Sequence, residues 1–222
     1  MRINLDTKAG VNIDFFDGFV FRVMQEALRD GGPEKFGYTY YKTRVENLIG
    51  GLAEYDAQIA GYIIDNFKGR KIVHAGIGAG TLTSFLAVRG FRIAGVESYT
   101  PVLGLTQAVR DAAISVWPSV EANYELLQGR YPAVLADSKW VDAGSVLAFT
   151  NVGAGWSDEL VTEIISTFSS FGDVVLDLRN FGRFLATDAE RDALFERVGK
   201  MAKSARRLPV VNGTPFAHFT FG

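Results

Sequence analysis

Residues 71–97, KIVHAGIGAGTLTSFLAVRGFRIAGVE, restrict the fold of this chain more than any other stretch. Ile72 and Val73 are β-branched and open an apolar run, after which Gly76, Gly78 and Gly80 fall at alternate positions. Thr81 to Val88 carries Leu82, Phe85 and Leu86 at helical spacing, and Gly90 stops that segment. Arg92 to Val96 is a second apolar run, and it ends on Glu97. The unit reads strand, glycine turn, helix, strand, carboxylate. A turn is rich in glycine where the backbone must bend sharply, or where a ligand comes closer than a Cβ allows. A carboxylate at the tip of the second strand stands where a nucleoside ribose presents two hydroxyls. The stretch predicts a nucleoside-cofactor site on an α/β fold.

The remaining chain falls into two parts. Residues 1–69 read as an N-terminal helical cap on the same domain. Asp14 can cap a segment striped by Phe16, Phe19, Val20, Val23, Ala27 and Leu28, and Gly31-Gly32-Pro33 ends it. Thr43 can cap a short helix interrupted by Gly50-Gly51, and Ile59, Tyr62, Ile63 and Phe67 stripe another. Residues 70–222 alternate strands with helices, which predicts a Rossmann-like, mostly parallel seven-stranded sheet with helices on both faces. Helices are expected over 101–116 and 120–127. Ala133 to Ala136 is the expected third strand, Ser145 to Phe149 the fourth and Val174 to Leu178 the fifth. Ser157 caps the helix between the last two, and Thr187 with Glu190 forms a capping box for a helix running to about Lys203. Leu208 to Val211 and Phe216 to Phe221 flank Asn212-Gly213-Thr214-Pro215, a terminal antiparallel hairpin.

Bulk properties exclude more than they select. At 222 residues the chain can bury the core of one domain. Net charge is −2 with Lys and Arg scattered, which gives no electrostatic case for a nucleic-acid partner. The absence of cysteine excludes disulfides, thiolate metal sites and cysteine nucleophiles. The opening MRINLDTKAGVNID lacks the apolar core of a signal peptide, and no run reaches the roughly 18 apolar residues of a membrane span. Cytoplasm is the expected compartment, and a homo-oligomer is compatible with the chain.

The glycine spacing narrows the cofactor. A dinucleotide fingerprint needs glycine at its first, third and sixth positions, and counting from Gly76 the sixth is Thr81. Gly76-Ile77-Gly78-Ala79-Gly80 instead resembles the GxGxG loop of class I S-adenosylmethionine-dependent methyltransferases, and Glu97-Ser98 resembles the acid that closes their second strand. The terminal hairpin is the second point of resemblance, since that fold closes on an antiparallel seventh strand. The resemblance covers roughly residues 70–222. It implies S-adenosyl-L-methionine as cofactor, with Gly76, Gly78 and Gly80 under its methionine and ribose portions, the N–H groups of the helix opening at Thr81 toward its carboxylate, and Glu97 and Ser98 at the ribose. It also implies that Asp137, with Ser138, takes the place of the acid that meets the adenine amino group after the third strand. The chain departs from the family two residues before the first glycine, where His74 replaces an acid. A neutral imidazole accepts one hydrogen bond and brings no negative charge.

Methyl transfer from a sulfonium asks a protein mainly for alignment and a dry pocket, with a base only where the acceptor must lose a proton. Candidates for that catalytic role are His218, on the last strand, and Asn151, after the fourth. Phe149-Thr150-Asn151-Val152 is not the NPPY-like motif of amino-directed nucleic-acid enzymes, and no metal-ligand cluster suggests a metal-dependent mechanism. Tyr38, Tyr41, Asn151 and Trp156 are the candidate contacts to a small-molecule acceptor. Two other readings stay open: a non-catalytic relative kept for binding, motivated by His74, and a nicotinamide-dependent oxidoreductase.

Overall fold

The first strand, β1 (Lys71–Ala75), runs through the middle of the molecule, and four of its five residues are buried. The structure, a computed structural model, describes residues 54–150, 152, 155–209 and 215–222, together with residues 19, 22, 23, 25 and 26. Helix α1 (Glu54–Asn66) precedes β1, and α2 (Thr81–Val88) follows it. Next come β2 (Arg92–Glu97), α3 (Thr100–Val116), α4 (Ser119–Asn123) and β3 (Tyr124–Gln128). The second half supplies β4 (Val146–Phe149), α5 (Asp158–Ser166) and β5 (Asp173–Asp177). A small hairpin of β6 (Asn180–Phe181) and β7 (Arg183–Phe184) leads to α6 (Asp188–Gly199), β8 (Ser204–Arg207) and β9 (Phe216–Thr220).

The main sheet has seven strands in the order β3-β2-β1-β4-β5-β9-β8. The first five strands pair in parallel, and β9 enters antiparallel between β5 and β8. Strands buried on both faces have no reason to alternate polar with apolar, so β4 reads as a continuous apolar run and β5 carries one, Val174 to Leu176, between two aspartates. Their side chains nevertheless alternate between two cores. Ile72, Ile93, Val146 and Val175 join Ile59, Ile63 and Phe67, so the predicted stripe of α1 is buried against one face of the sheet. Val73, Leu147, Val174 and Leu176 pack on the other face with Ile164, Ile165 and Val198. The predicted caps at Ser157 and Thr187 are both formed, the second as a complete capping box.

Three expected elements differ. The helix expected over 120–127 is only the five-residue α4, and the third strand begins at Tyr124. There the parallel ladder with β2 takes up the backbone, and the Tyr124 ring is buried. Ala133 to Ala136 is not the third strand: Ala133–Leu135 is one 3₁₀ turn whose Leu135 plugs the second core. The penultimate strand starts at Ser204 rather than Leu208. All four of its residues are exposed, and the charges of Arg206 and Arg207 suit a sheet edge that must not recruit another strand. The turn at Asn212 to Thr214 lies outside the described residues.

Candidate functional site

The carboxyl ends of the parallel strands enclose a cavity of about 680 Å³, at the point where the chain order reverses between β1 and β4. One end is backbone and carboxylate: Ala75, Gly76, Gly78, Glu97, Ser98 and Tyr99. The other is walled by rings, Tyr131, Phe149, Trp156 and Phe184, with Val152, Leu160 and Asn180 between them.

Glycine is required at the first end for a measurable reason. Gly76 has φ +72°, and a Cβ placed on it would lie 2.5 Å from Cγ2 of Val152. Gly76→Ala should therefore push the loop and Val152 apart, with an expected cost of about 1–3 kcal/mol, the usual range for overpacking. Thermal unfolding alongside ligand titration would check it. An alanine variant with unchanged melting temperature and affinity would mean that the close approach is not needed. The turn continues into Gly80, which caps α2 at φ +75° beneath Thr106 and Tyr124 but does not line the cavity. Thr81 opens α2 and is buried, and its Oγ1 has no partner.

Glu97 organises the loop as well as facing the cavity. Its Oε2 accepts from the Gly78 N–H at 2.8 Å, and its Oε1 accepts from the N–H groups of Ser98 and Tyr99, both at 2.8 Å. A carboxylate offers about four lone-pair directions. Three are taken, so one direction on Oε2 is left for a ligand hydroxyl, where the sequence suggested two.

His74 does not reach the cavity. It is 3 % exposed, with Nδ1 2.8 Å from Thr83 Oγ1 and Nε2 2.7 Å from Thr150 Oγ1. It acts as a polar strut between α2 and the end of β4. Asp137 and Ser138 are likewise displaced, because the strand expected to present them is β3 instead. Asp137 is exposed at φ 58° in the turn after the 3₁₀ segment, and neither residue lines the cavity. Where the family would place an acid after the third strand, this chain has Gly129, Arg130 and Tyr131, and all three line the cavity. The Gly129 N–H donates to the Glu97 carbonyl at 2.9 Å, which fixes this turn beside the second strand.

His218 sits on β9 and reaches toward the end of the sheet away from the cavity. Its Nε2 is 2.6 Å from Asp173 Oδ1, at the amino end of β5, and its Nδ1 is 2.9 Å from the Tyr62 hydroxyl. It is part of a structural network, remote from the cavity at the carboxyl ends, and not a base for chemistry there. Asn151, Tyr38 and Tyr41 lie outside the described residues. Trp156 lines the cavity, and its backbone N–H donates to Gly182 O at 2.8 Å.

The sequence reading missed the other wall. Asp177 ends β5 fully buried, and its Oδ1 accepts from the N–H groups of Arg179 and Asn180, which sets the turn that offers Asn180 to the cavity. The β6–β7 hairpin is clamped beside β4, since Val152 donates to Asn180 O and accepts from the Gly182 N–H. A hairpin of two-residue strands has no periodicity to find. Gly182, in Phe181-Gly182-Arg183-Phe184, was its one local signal. Tyr131 donates its hydroxyl to, or accepts from, Thr167 at 2.6 Å, and burial pushes its pKa up, so its phenol stays protonated and cannot serve as a base near neutrality.

No protein-family model and no curated protein sequence matches the chain. Solved structures do. The methyltransferase domain of bacterial CtHen1 superposes with a TM-score of 0.58 at 17 % identity, covering 74 % of this chain and 98 % of that one. A protein of Klebsiella pneumoniae named as an O-methyltransferase gives 0.57 at 13 % identity, over 92 % and 90 %. One from Nostoc punctiforme PCC 73102, also named as an O-methyltransferase, gives 0.58 at 12 % identity, over 92 % and 69 %. At these identities the likeness establishes the fold: a Rossmann-like methyltransferase sheet with its terminal antiparallel pair.

Proposed function

We propose that this chain, which has the class I methyltransferase fold, transfers a methyl group from S-adenosylmethionine to a small organic acceptor. The observation that supports the reading is one cavity with two chemically different ends, backbone and carboxylate at the glycine loop and aromatic rings beyond it. Its volume lies within the roughly 300–1,000 Å³ of small-molecule sites.

The residues present suit the cofactor. Gly76 and Gly78 present bare backbone to the cavity, Glu97 keeps one acceptor direction for a ribose hydroxyl, and Tyr99 and Val102 offer apolar surface beside it. When bound, S-adenosylmethionine would supply a methyl group on a cationic sulfur, already activated for transfer to an acceptor lone pair. The chain contributes alignment and exclusion of water, through Phe149, Trp156 and Tyr131, whose rings meet edge to face at 5.0 Å (Tyr131–Phe149) and 6.2 Å (Phe149–Trp156). The proposal includes a cytoplasmic compartment and no nucleic-acid or membrane partner. Among the described residues no helix is long and apolar enough to cross a membrane.

A second reading, a binding protein without turnover, is favoured by His74, which is committed to two hydroxyls instead of bringing an acid to the loop. Calorimetric titration with S-adenosylmethionine, S-adenosylhomocysteine and NAD separates these readings. Micromolar binding of the first two, weakened in Tyr99→Ala and absent for NAD, is the expected result. Binding of NAD alone would instead support an oxidoreductase. Methyl transfer to an acceptor panel then decides between catalysis and binding.

A further inference from the structure

Resting on the methyltransferase reading, one polar side chain at the ring-walled end of the cavity is oriented by a buried carboxylate. Asn180 opens β6 and lines the cavity together with Phe149, Trp156 and Phe184. Asp177 is 1 % exposed, and it accepts on Oδ1 from the Asn180 N–H at 3.1 Å and on Oδ2 from Asn180 Nδ2 at 3.3 Å. A carboxylate accepts and does not donate, so the amide turns its NH₂ toward Asp177; the opposite orientation would set oxygen against oxygen. Asn180 Oδ1 is thereby left on the other side. It has no hydrogen-bond partner among the described residues, and it is not sealed from the cavity. The backbone here is fixed, since Val152 donates to the Asn180 carbonyl at 2.8 Å and β6 pairs with β7. A carboxylate bonded to the NH₂ of an amide polarises it and strengthens its oxygen as an acceptor.

We infer that Asn180 binds the methyl acceptor, and that the acceptor is an aromatic amine, its N–H held by Asn180 Oδ1 and its ring among Phe149, Trp156 and Tyr131. Such a bond selects a nucleophile that carries its own hydrogen, and it turns the lone pair away from the amide. Among the described residues at this end, none takes a proton first: Tyr131 stays protonated, and the rest of the wall is ring, aliphatic chain or amide. An amide oxygen accepts a hydrogen bond without removing the proton. A neutral aromatic amine has both a lone pair and an N–H near neutrality, whereas a phenol must first lose its proton. The nitrogen lone pair makes the new N–C bond, the C–S electron pair remains on sulfur, and the methylated nitrogen then releases its proton to water.

The test compares 5-aminoindane with its N,N-dimethyl derivative and with 5-indanol, by ligand-observed NMR titration of the full chain with and without S-adenosylhomocysteine. The amine should bind about fivefold or more tighter than the dimethyl form, which has no N–H, a gap of the order of one neutral hydrogen bond. Asn180→Leu should close that gap, and Asn180→Ala, which removes the amide without adding bulk, should close it too. Mass spectrometry with S-adenosylmethionine should show methylation of 5-aminoindane, with kcat/KM about fivefold or more lower in either variant. Equal binding of the amine and its dimethyl form, binding of neither, or a gap that survives both variants would overturn the inference while S-adenosylhomocysteine binding left the methyltransferase reading standing. Methylation of 5-indanol in preference to the amine would overturn the assignment of the acceptor. Failure to bind S-adenosylhomocysteine would sink the methyltransferase reading, and the titrations without cofactor would still decide the hydrogen bond at Asn180.

Discussion

Glu97→Gln is expected to weaken cofactor binding and to destabilise the fold together, although it changes only one atom. The carboxylate accepts from Gly78 on one oxygen and from Ser98 and Tyr99 on the other. An amide must turn its NH₂ toward one of these sides, where a donor meets a donor. At least one N–H then loses its acceptor, at a cost of about 1–3 kcal/mol. For a chain of this size each kcal/mol is worth about 2–4 °C in melting temperature, so a fall of roughly 3–10 °C is expected. The side chain that orients the loop is also the one that faces the ligand, and S-adenosylhomocysteine affinity should fall at least about tenfold, the equivalent of 1.4 kcal/mol. Glu97→Ala leaves all three donors without the carboxylate and should exceed Gln in both effects. Calorimetry with thermal unfolding on the three proteins reads both quantities. Unchanged affinity in either variant would remove Glu97 from the cofactor site, and an unchanged melting temperature in Gln would mean that water replaces the carboxylate at no cost.

That dual role was half visible in the residues alone. A carboxylate ending an apolar run after a glycine turn is a local pattern, and so are the bounds of α2, stopped by Gly90, and of β2. The hydrogen bonds that use up three of its four acceptor directions depend on how Gly78 folds back over the second strand. The third strand was hidden for a different reason. Val120, Tyr124 and Leu127 recur at helical spacing, and no glycine or proline separates the short helix from YELLQ, so the periodicity of α4 runs on where the ladder to β2 has already begun. Placing that strand at Ala133 carried the expected adenine contact to Asp137, whereas the turn that follows β3 along the cavity is Gly129 to Tyr131. His74 stood out as a substitution, but its partners Thr83 and Thr150 are contributed by α2 and the end of β4, and only the packed sheet brings them to one ring.

Asp173→Asn is expected to lower stability without touching the cavity, because its network ties β5 to β9 and Arg70 at the end of the sheet away from it. Asp173 is 7 % exposed. Its Oδ1 accepts from Thr220 Oγ1 at 2.9 Å and meets His218 Nε2 at 2.6 Å, while Oδ2 pairs with Arg70. Burial alone would raise this carboxyl's pKa, but hydrogen bonds from Arg70, His218 and Thr220 outweigh it and hold the group below its ordinary value. The folded protein therefore binds this proton less readily than the unfolded chain. The stabilisation is complete above the ordinary carboxylate pKa of about 3.9 and drains away as pH falls through the lower folded value. Breaking a fully buried ion pair costs about 3–5 kcal/mol. Arg70 is partly exposed and keeps its bonds to the Gly144 and Ser145 carbonyls, so about 2–4 kcal/mol is expected here, or roughly 5–15 °C at about 2–4 °C per kcal/mol. Urea unfolding of both proteins at neutral pH and near pH 3 would check the sign, since protonation of wild-type Asp173 should narrow the gap to the Asn variant. A gap that stays constant would mean that the carboxylate's charge is not what stabilises this network. Equal S-adenosylhomocysteine affinity in the two proteins is also expected, because Asp173 lies at the amino end of β5 and the cavity opens at the carboxyl end.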